Sequence, residues 1–253
     1  DSEICPKGYW PVYKGESFKL WNPDTGLINS FADPEKVLKW LQNKRLKSHQ
    51  SKRDSVHKEF SFEYINNNET LSCLKPRIVF RDVTNSIDHR TVHACLIPPK
   101  TFVTNTAPTI LFPRGDSKDE AFLLGILCSI PLDWCARRFV GLHLNLYIFN
   151  SLPIPRPKRT NILWERVVKI SGRLASCDER YKDWANEVGV EYGPIDEESK
   201  QEKIYELDAL AAHLYELSEN QLTLIFKTFR KNWNYNDRLN KVLHYYKIWK
   251  NKF

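Results

Sequence analysis

Between Arg77 and Thr91 the sequence crowds together side chains that can read or grip a nucleic acid: Arg77, Arg81, Asp82, Thr84, Asn85, Asp88, His89 and Arg90. Guanidinium groups pair with guanine edges or phosphates, and carboxamides pair with adenine. The same residues would also suit a polar hairpin tip between two apolar strands, with Arg81 and Asp82 as a structural ion pair. A second group is the basic run Lys44, Arg45, Lys47, Lys52, Arg53 and Lys58, set against only Asp54 and Glu59. It lacks apolar periodicity and is expected to be a mobile loop, either solvated or bound to phosphates. Each phosphate it neutralised would contribute roughly −0.9 to the salt dependence of binding. Arg137 and Arg138, with Arg156, Lys158 and Arg159, form a third basic cluster. Lys227, Arg230 and Lys231 are a further group able to reach DNA. Trp10, Trp21 and Trp40 are candidates for a stacking wedge.

Catalytic patterns are missing. Nine glycines never form G-x-G, no P-loop is present, and Asn22-Pro23-Asp24 and Ile97-Pro98-Pro99 lack the order of an adenine-binding Asn/Asp-Pro-Pro-aromatic turn. Glu198 and Lys200 make a formal E-x-K, but in an acidic helix start. His89 and His93 in an extended segment would lie roughly 13 Å apart, too far to share a metal. The six cysteines (5, 73, 95, 128, 135, 177) show no C-x-x-C pair and no zinc-finger spacing, which favours a reducing, cytoplasmic setting. The sequence therefore predicts no catalytic centre, no metal site and no cofactor in this chain.

Composition sets the frame for these groups. A 42% hydrophobic content excludes wholesale disorder, and no run approaches a transmembrane length, so no membrane partner is expected. A net charge of +7 favours a polyanionic partner. The chain opens on Asp1 with no signal pattern and reads as the start of a fragment.

The elements expected to position the basic groups divide near the proline-rich segment Leu152–Pro157. Tyr9–Val12, Phe18–Trp21, Glu59–Ile65, Arg77–Val83, Thr91–Ile97, Thr109–Phe112 and Leu142–Phe149 carry the β-branched and aromatic runs of strands. Asp33-Pro34 starts a helix through Val37, Leu38, Trp40 and Leu41. Glu120–Cys128 and Leu132–Val140 read as helices. After Asn161 the periodicity is helical, with apolar stripes at Trp164–Leu174 and Ile204–Leu217, a capping box at Ser218 and Gln221, and a last helix over Arg238–Trp249. The expected fold class is α+β: a mixed, largely antiparallel β-rich recognition domain with inserted helices over residues 1–157, then a helical bundle over 158–253.

Three stretches resemble one family in order. Residues 76–85 (PRIVFRDVTN) with 88–99 (DHRTVHACLIPP) are similar to the "R-x-V/I-x-R-D-I/V … R-T … A-x-I-P" core of the C-terminal specificity domains of TaqI-like N6-adenine DNA methyltransferases. These domains also occur in type IIG restriction–modification and phage-defence enzymes. Residues 123–138 with 143–155 resemble the "L-L-x-L-L-N-S … L-P-I/V-P" segment, with Cys128 in place of the usual Asn. Residues 206–218 with Thr228-Phe229 resemble the following "D-A-x-V-A-x-L-Y-G-L-S … T-F" helices, with Glu216 in place of Gly. The resemblance covers roughly residues 9 to 250.

The resemblance implies a recognition module for double-stranded DNA. A separate methyltransferase domain, in the same polypeptide or as a subunit, would bind S-adenosylmethionine, and the parent would methylate adenine and, if of the bifunctional type IIG kind, also cut DNA. It implies that the recurrent Arg77, Arg81 and Arg90 serve fold or backbone binding, leaving Asn85, Ser86, His89, Asn105 and Thr106 for base reading. The expected DNA-binding set is Lys44, Arg45, Lys47, Lys52, Arg53, Arg77, Arg81, Thr84, Asn85, His89, Arg90, Arg137 and Arg138. The competing expectation is a non-catalytic protein-interaction scaffold whose basic surface is incidental.

Overall fold

The computed structural model describes residues 5–229 and 235–252. In chain order the elements are strand β1 (Trp10–Tyr13), β2 (Ser30–Ala32), helix α1 (Pro34–Gln50), α2 (Phe62–Asn66), β3 (Arg77–Phe80), β4 (Ala94–Ile97) and β5 (Phe102–Val103). Among the described residues eight α-helices follow: α3 (Ser117–Leu127), α4 (Ile130–Ala136), α5 (Leu146–Asn150), α6 (Ile162–Ala175), α7 (Lys182–Val188), α8 (Glu197–Leu214), α9 (Glu219–Lys227) and α10 (Tyr235–Lys250). No helix among the described residues is long and apolar enough to cross a membrane.

The β-rich expectation is corrected: the chain is predominantly helical, with 50% helix against 9% strand and two small open sheets. One sheet has the order β2-β1-β5, with β1–β2 antiparallel and β1–β5 parallel; the other is the antiparallel pair β3–β4, in register from Arg77 opposite Ile97 to Phe80 opposite Ala94. Short polar caps account for much of the difference. Ser55 and Ser61 accept from the N–H groups of His57 and Tyr64, turning Val56–Glu59 into a 3-10 turn and Phe62–Asn66 into α2, where an aromatic run suggested a strand. Asn145 accepts from the Ile148 N–H and starts α5 in place of the strand expected over Leu142–Phe149. Phe18–Trp21 closes a tight turn in which Lys19 and Asn22 bridge and Trp21 has φ 56°, and Thr109 makes only an isolated bridge to Val79.

The basic run 44–58 is not one loop, because α1 continues through Gln50. Asp33 accepts from the Glu35 N–H at 3.0 Å and Pro34 opens the helix, as the sequence indicates. Its inward face holds Gln42 and Arg45, rotated away from Trp40, which is 57% exposed beneath the Lys44 ammonium.

The helical second half follows the expected stripes. On α6, Trp164, Val167, Val168, Ile170, Ser171 and Leu174 are buried, and on α8 so are Ile204, Leu207, Leu210 and Ala211. Ser218 and Gln221 form the reciprocal cap of α9. Helix α3 lies along α6, α6 along α8, and α8 along α10. The α3–α6 approach requires Gly125, since a Cβ there would stand 2.2 Å from Ser171 Oγ and 2.8 Å from Val167 Cγ1. A single apolar core joins Ile78 and Phe80 of β3 and Leu124 and Leu127 of α3 to Val167 of α6 and Leu207 of α8. Fully burying such side chains stabilises by about 1.5–3 kcal/mol each relative to exposure.

Candidate nucleic-acid interface

Beyond the Phe80–Ala94 end of the β3–β4 pair the chain projects as a loop, residues 82–91, and a second loop, 137–145, lies against it. Val83 bridges His143, the Thr84 N–H donates to the Leu142 carbonyl at 3.1 Å, and the Leu144 N–H donates to the Asp82 carbonyl at 2.8 Å. The Asp82 carboxylate and His143 Nδ1 meet at 3.0 Å. The Thr84 hydroxyl donates to the Thr91 carbonyl, the Thr91 hydroxyl donates to that of Asn85, and the Asn85 side chain accepts from the Ile87 N–H. Two segments some sixty residues apart thus make one platform.

A buried carboxylate anchors it. Asp133 of α4 has no exposed surface, and its Oδ1 accepts the N–H groups of Thr91 at 2.9 Å and Val92 at 2.8 Å. Oδ2 accepts from Arg137 Nε at 3.0 Å. Arg90 Nε stands 3.2 Å from Oδ1 without hydrogen-bond alignment, so that contact is an ion pair only. Arg90 then donates to the carbonyls of Cys128 and Ser129, while Arg137 donates to those of Asp88 and His89 and lies over the Phe229 ring. Burial, with Arg90 and Arg81 nearby, pushes His93 down to about 4, and this neutral ring donates from Nε2 to the Arg90 carbonyl.

The structure therefore sorts the expected DNA-binding residues into two kinds. Arg45 is buried and donates to Gln42 Oε1, Thr70 Oγ1 and the Asn67 carbonyl, fastening α1 to residues 67–70. Arg77 is buried and donates to the Thr101 carbonyl at 2.6 Å, and desolvation lowers it to about 10, still charged at neutral pH. With Arg90, Arg137 and the buried Thr84, these residues hold the fold together. Arg81 is half-buried, with its stem against Gly15. Lys44, Lys47, Lys52, Arg53, His89 and Arg138 are exposed, Arg138 stacking over Trp134, and Asn85 is half-buried on the platform.

The α1 cations and the platform do not converge. Helix α1 packs on Leu71, Cys73 and Phe102, beside the Arg77–Ile97 end of the β3–β4 pair, whereas the platform leaves the other end. In the linker cluster Arg159 is paired with Asp116 and Asp119, and Arg156 and Lys158 are exposed. Trp10 stacks on Phe102 and Trp21 is buried, so of the three tryptophans Trp40 alone is exposed. Lys227 is exposed; Arg230 and Lys231 lie outside the described residues.

Two features of this face were not singled out from sequence. One is Asp133, whose partners Val92 and Thr91 are 41 and 42 residues away. The other is a group of bare apolar side chains on the platform and its rim: Val83, Ile87, Phe139, Leu142, Leu146 and Tyr147, from 44% exposed at Val83 to 82% at Tyr147. Exposed apolar side chains that form one contiguous patch mark contact sites, whereas scattered single ones need no explanation. The available sequence signal was the Asn145 cap, which turns Leu146 and Tyr147 outward on a five-residue helix. Among the described residues no group of His, Cys, Asp and Glu is arranged to hold a metal. No protein-family model, curated protein or solved structure matches this chain.

Proposed function

We propose that the chain is a recognition module for double-stranded DNA, working beside a separate N6-adenine methyltransferase domain of a restriction–modification or phage-defence enzyme and contributing no catalysis itself. The observation that supports this best is the platform itself. It sets hydrogen-bonding side chains (Asn85, His89, Arg138, His143) beside bare apolar ones (Ile87, Phe139, Leu142) on two loops fixed by a buried carboxylate, with Tyr147 following on α5. Polar groups of this kind read base edges, and apolar ones contact thymine methyls or wedge into a groove. The exposed cations of α1 are suited to phosphates at a second point. S-adenosylmethionine belongs to the partner domain in this reading.

The test is to incubate the chain with a randomised duplex pool at several salt concentrations and sequence what is retained. One short motif containing adenine should be enriched, and Tyr147→Ala with Leu142→Ala should abolish the enrichment. Salt-sensitive retention without a motif would reduce the role to a phosphate clamp.

The six bare apolar side chains also favour a second reading, a protein-interaction scaffold. In that case the same double variant would lose a separately expressed methyltransferase domain, and the wild type would retain no duplex at low salt.

A further inference from the structure

A cleft of about 270 Å³ opens between the platform and the C-terminal helices. Its walls carry His89 and Arg90 from the platform, Lys200 and Gln201 from α8, and Arg238 from α10. Among the described residues no Asp or Glu lines it; Leu20, Trp21, Ile204 and the Cys128 thiol, pushed up to about 12 by burial and so uncharged, make the rest of the described wall. The arginine and lysine side chains are largely enclosed, at 13% exposure for Arg90, 25% for Lys200 and 17% for Arg238.

The neighbouring carboxylates offset these charges only in part: Asp208 holds Arg238 in a one-to-one pair, and the surplus lies on Arg90 and Lys200. Asp133 is shared between Arg90 and Arg137, so that trio keeps a positive charge. Asp208 pairs with Arg238 and also accepts the Ile130 N–H at 2.9 Å. Lys200 meets Glu197 only at 3.9 Å, and that carboxylate is 73% exposed to water. The cleft is thus a partly dehydrated, net-positive recess in which Coulomb attraction for an anion is stronger than at an open surface. Its volume is below that of drug-sized pockets and suits one small group.

We propose that this cleft is a phosphate-binding site, with Lys200 as its point charge and Arg90, Arg238 and His89 framing it. Its occupant is a phosphodiester of the duplex read by the platform, an identification that rests on the DNA-recognition reading above. A free phosphate ester shares the chemistry and is separated from it by the test. Held there, the DNA backbone would be fixed against α8 and α10 while its bases face residues 82–90, which gives the C-terminal helices a direct part in recognition.

The test uses the whole chain, duplex DNA and inorganic pyrophosphate. Lys200→Gln should lower the slope of log K against log salt by about 0.9 and weaken duplex binding about five-fold at about 0.15 M salt. Lys169→Gln, an exposed position on α6, should change neither. Duplex binding that is equally strong and equally salt-dependent in Lys200→Gln overturns the site and leaves the DNA reading standing. If no duplex binds but pyrophosphate raises the melting temperature of wild type and not of Lys200→Gln, the site stands with a free phosphate ester as ligand and the DNA reading falls. Failure of both probes overturns both.

Discussion

Removing the Asp133 carboxylate tests the account of how the platform is held. In Asp133→Ala the buried N–H groups of Thr91 and Val92 lose their acceptor, and an unsatisfied buried group costs about 1–3 kcal/mol. Arg90 and Arg137, at 13% and 15% side-chain exposure, lose their shared counter-ion, and breaking a buried pair costs about 3–5 kcal/mol. These costs overlap, and both arginines keep carbonyl acceptors on Cys128, Ser129, Asp88 and His89, so the low end applies. We expect a loss of about 4 kcal/mol, a large share of the roughly 5–15 kcal/mol that keeps a domain folded. Urea unfolding reads it as a fall in midpoint at unchanged slope. Hydrogen exchange should show the Thr91 and Val92 amides losing protection first. Asp133→Asn keeps an oxygen for the two amides and should lose less. Asp88→Ala is the control: its carbonyl is used and its exposed side chain is not part of the network, so it should stay within about 0.5 kcal/mol of wild type. A loss below about 1 kcal/mol for Asp133→Ala, or equal losses for the two alanine variants, would refute the anchoring role.

Glu120 donates no charge cheaply: burial raises it from 4.5 to about 7, opposed by the Trp184 Nε1–H bond at 2.8 Å. A carboxyl raised in the folded state costs nothing below its unfolded value and most above its folded one, so wild-type stability should fall as pH rises from 4.5 through about 7. Glu120→Gln, which can still accept from Trp184, should gain on wild type over that window by on the order of 3 kcal/mol, read by thermal melts at pH 5 and pH 8; a gap independent of pH would contradict the assignment. Gly125→Ala should destabilise by about 1–3 kcal/mol in urea titration, because Ser171 and Val167 must move. Tyr147→Ala, at an 82% exposed position, should leave stability within about 0.5 kcal/mol while weakening duplex binding in a filter or fluorescence assay; a large stability loss would show that the ring serves the fold.

What the sequence disclosed and what it hid follow a physical division. Local signals were legible: Asp33-Pro34 at the head of α1, the Ser218–Gln221 box of α9, and the stripes of α6 and α8 each depend on residues within a few positions of one another. Strand assignments failed where a single Ser or Asn decided the matter. Ser61 and Asn145 start helices in runs whose aromatic and branched residues favour strands, because one cap bond organises a turn before any sheet partner is found. The basic residues hid their roles for a different reason. Arg45, Arg77, Arg90 and Arg137 bond to groups 22 to 49 residues away as well as nearby, so nothing local distinguishes them from the exposed Lys47 or Arg138. Positive charge marked the region, and only tertiary structure separated the cations that bind carbonyls from those that face solvent.

The platform is fastened largely through its main chain. Asp133 holds the amides of Thr91 and Val92, Arg137 holds the carbonyls of Asp88 and His89, and Thr84 receives its backbone partner from Leu142. The side chains of Ser86, Ile87 and Asp88 take no part in that fastening. Substitutions at these three positions can therefore alter what the loop touches without altering where the loop stands. Such a scaffold lets a lineage, or an engineer, exchange the contacting groups one at a time while the mounting stays fixed, so a change of target would not require a new fold.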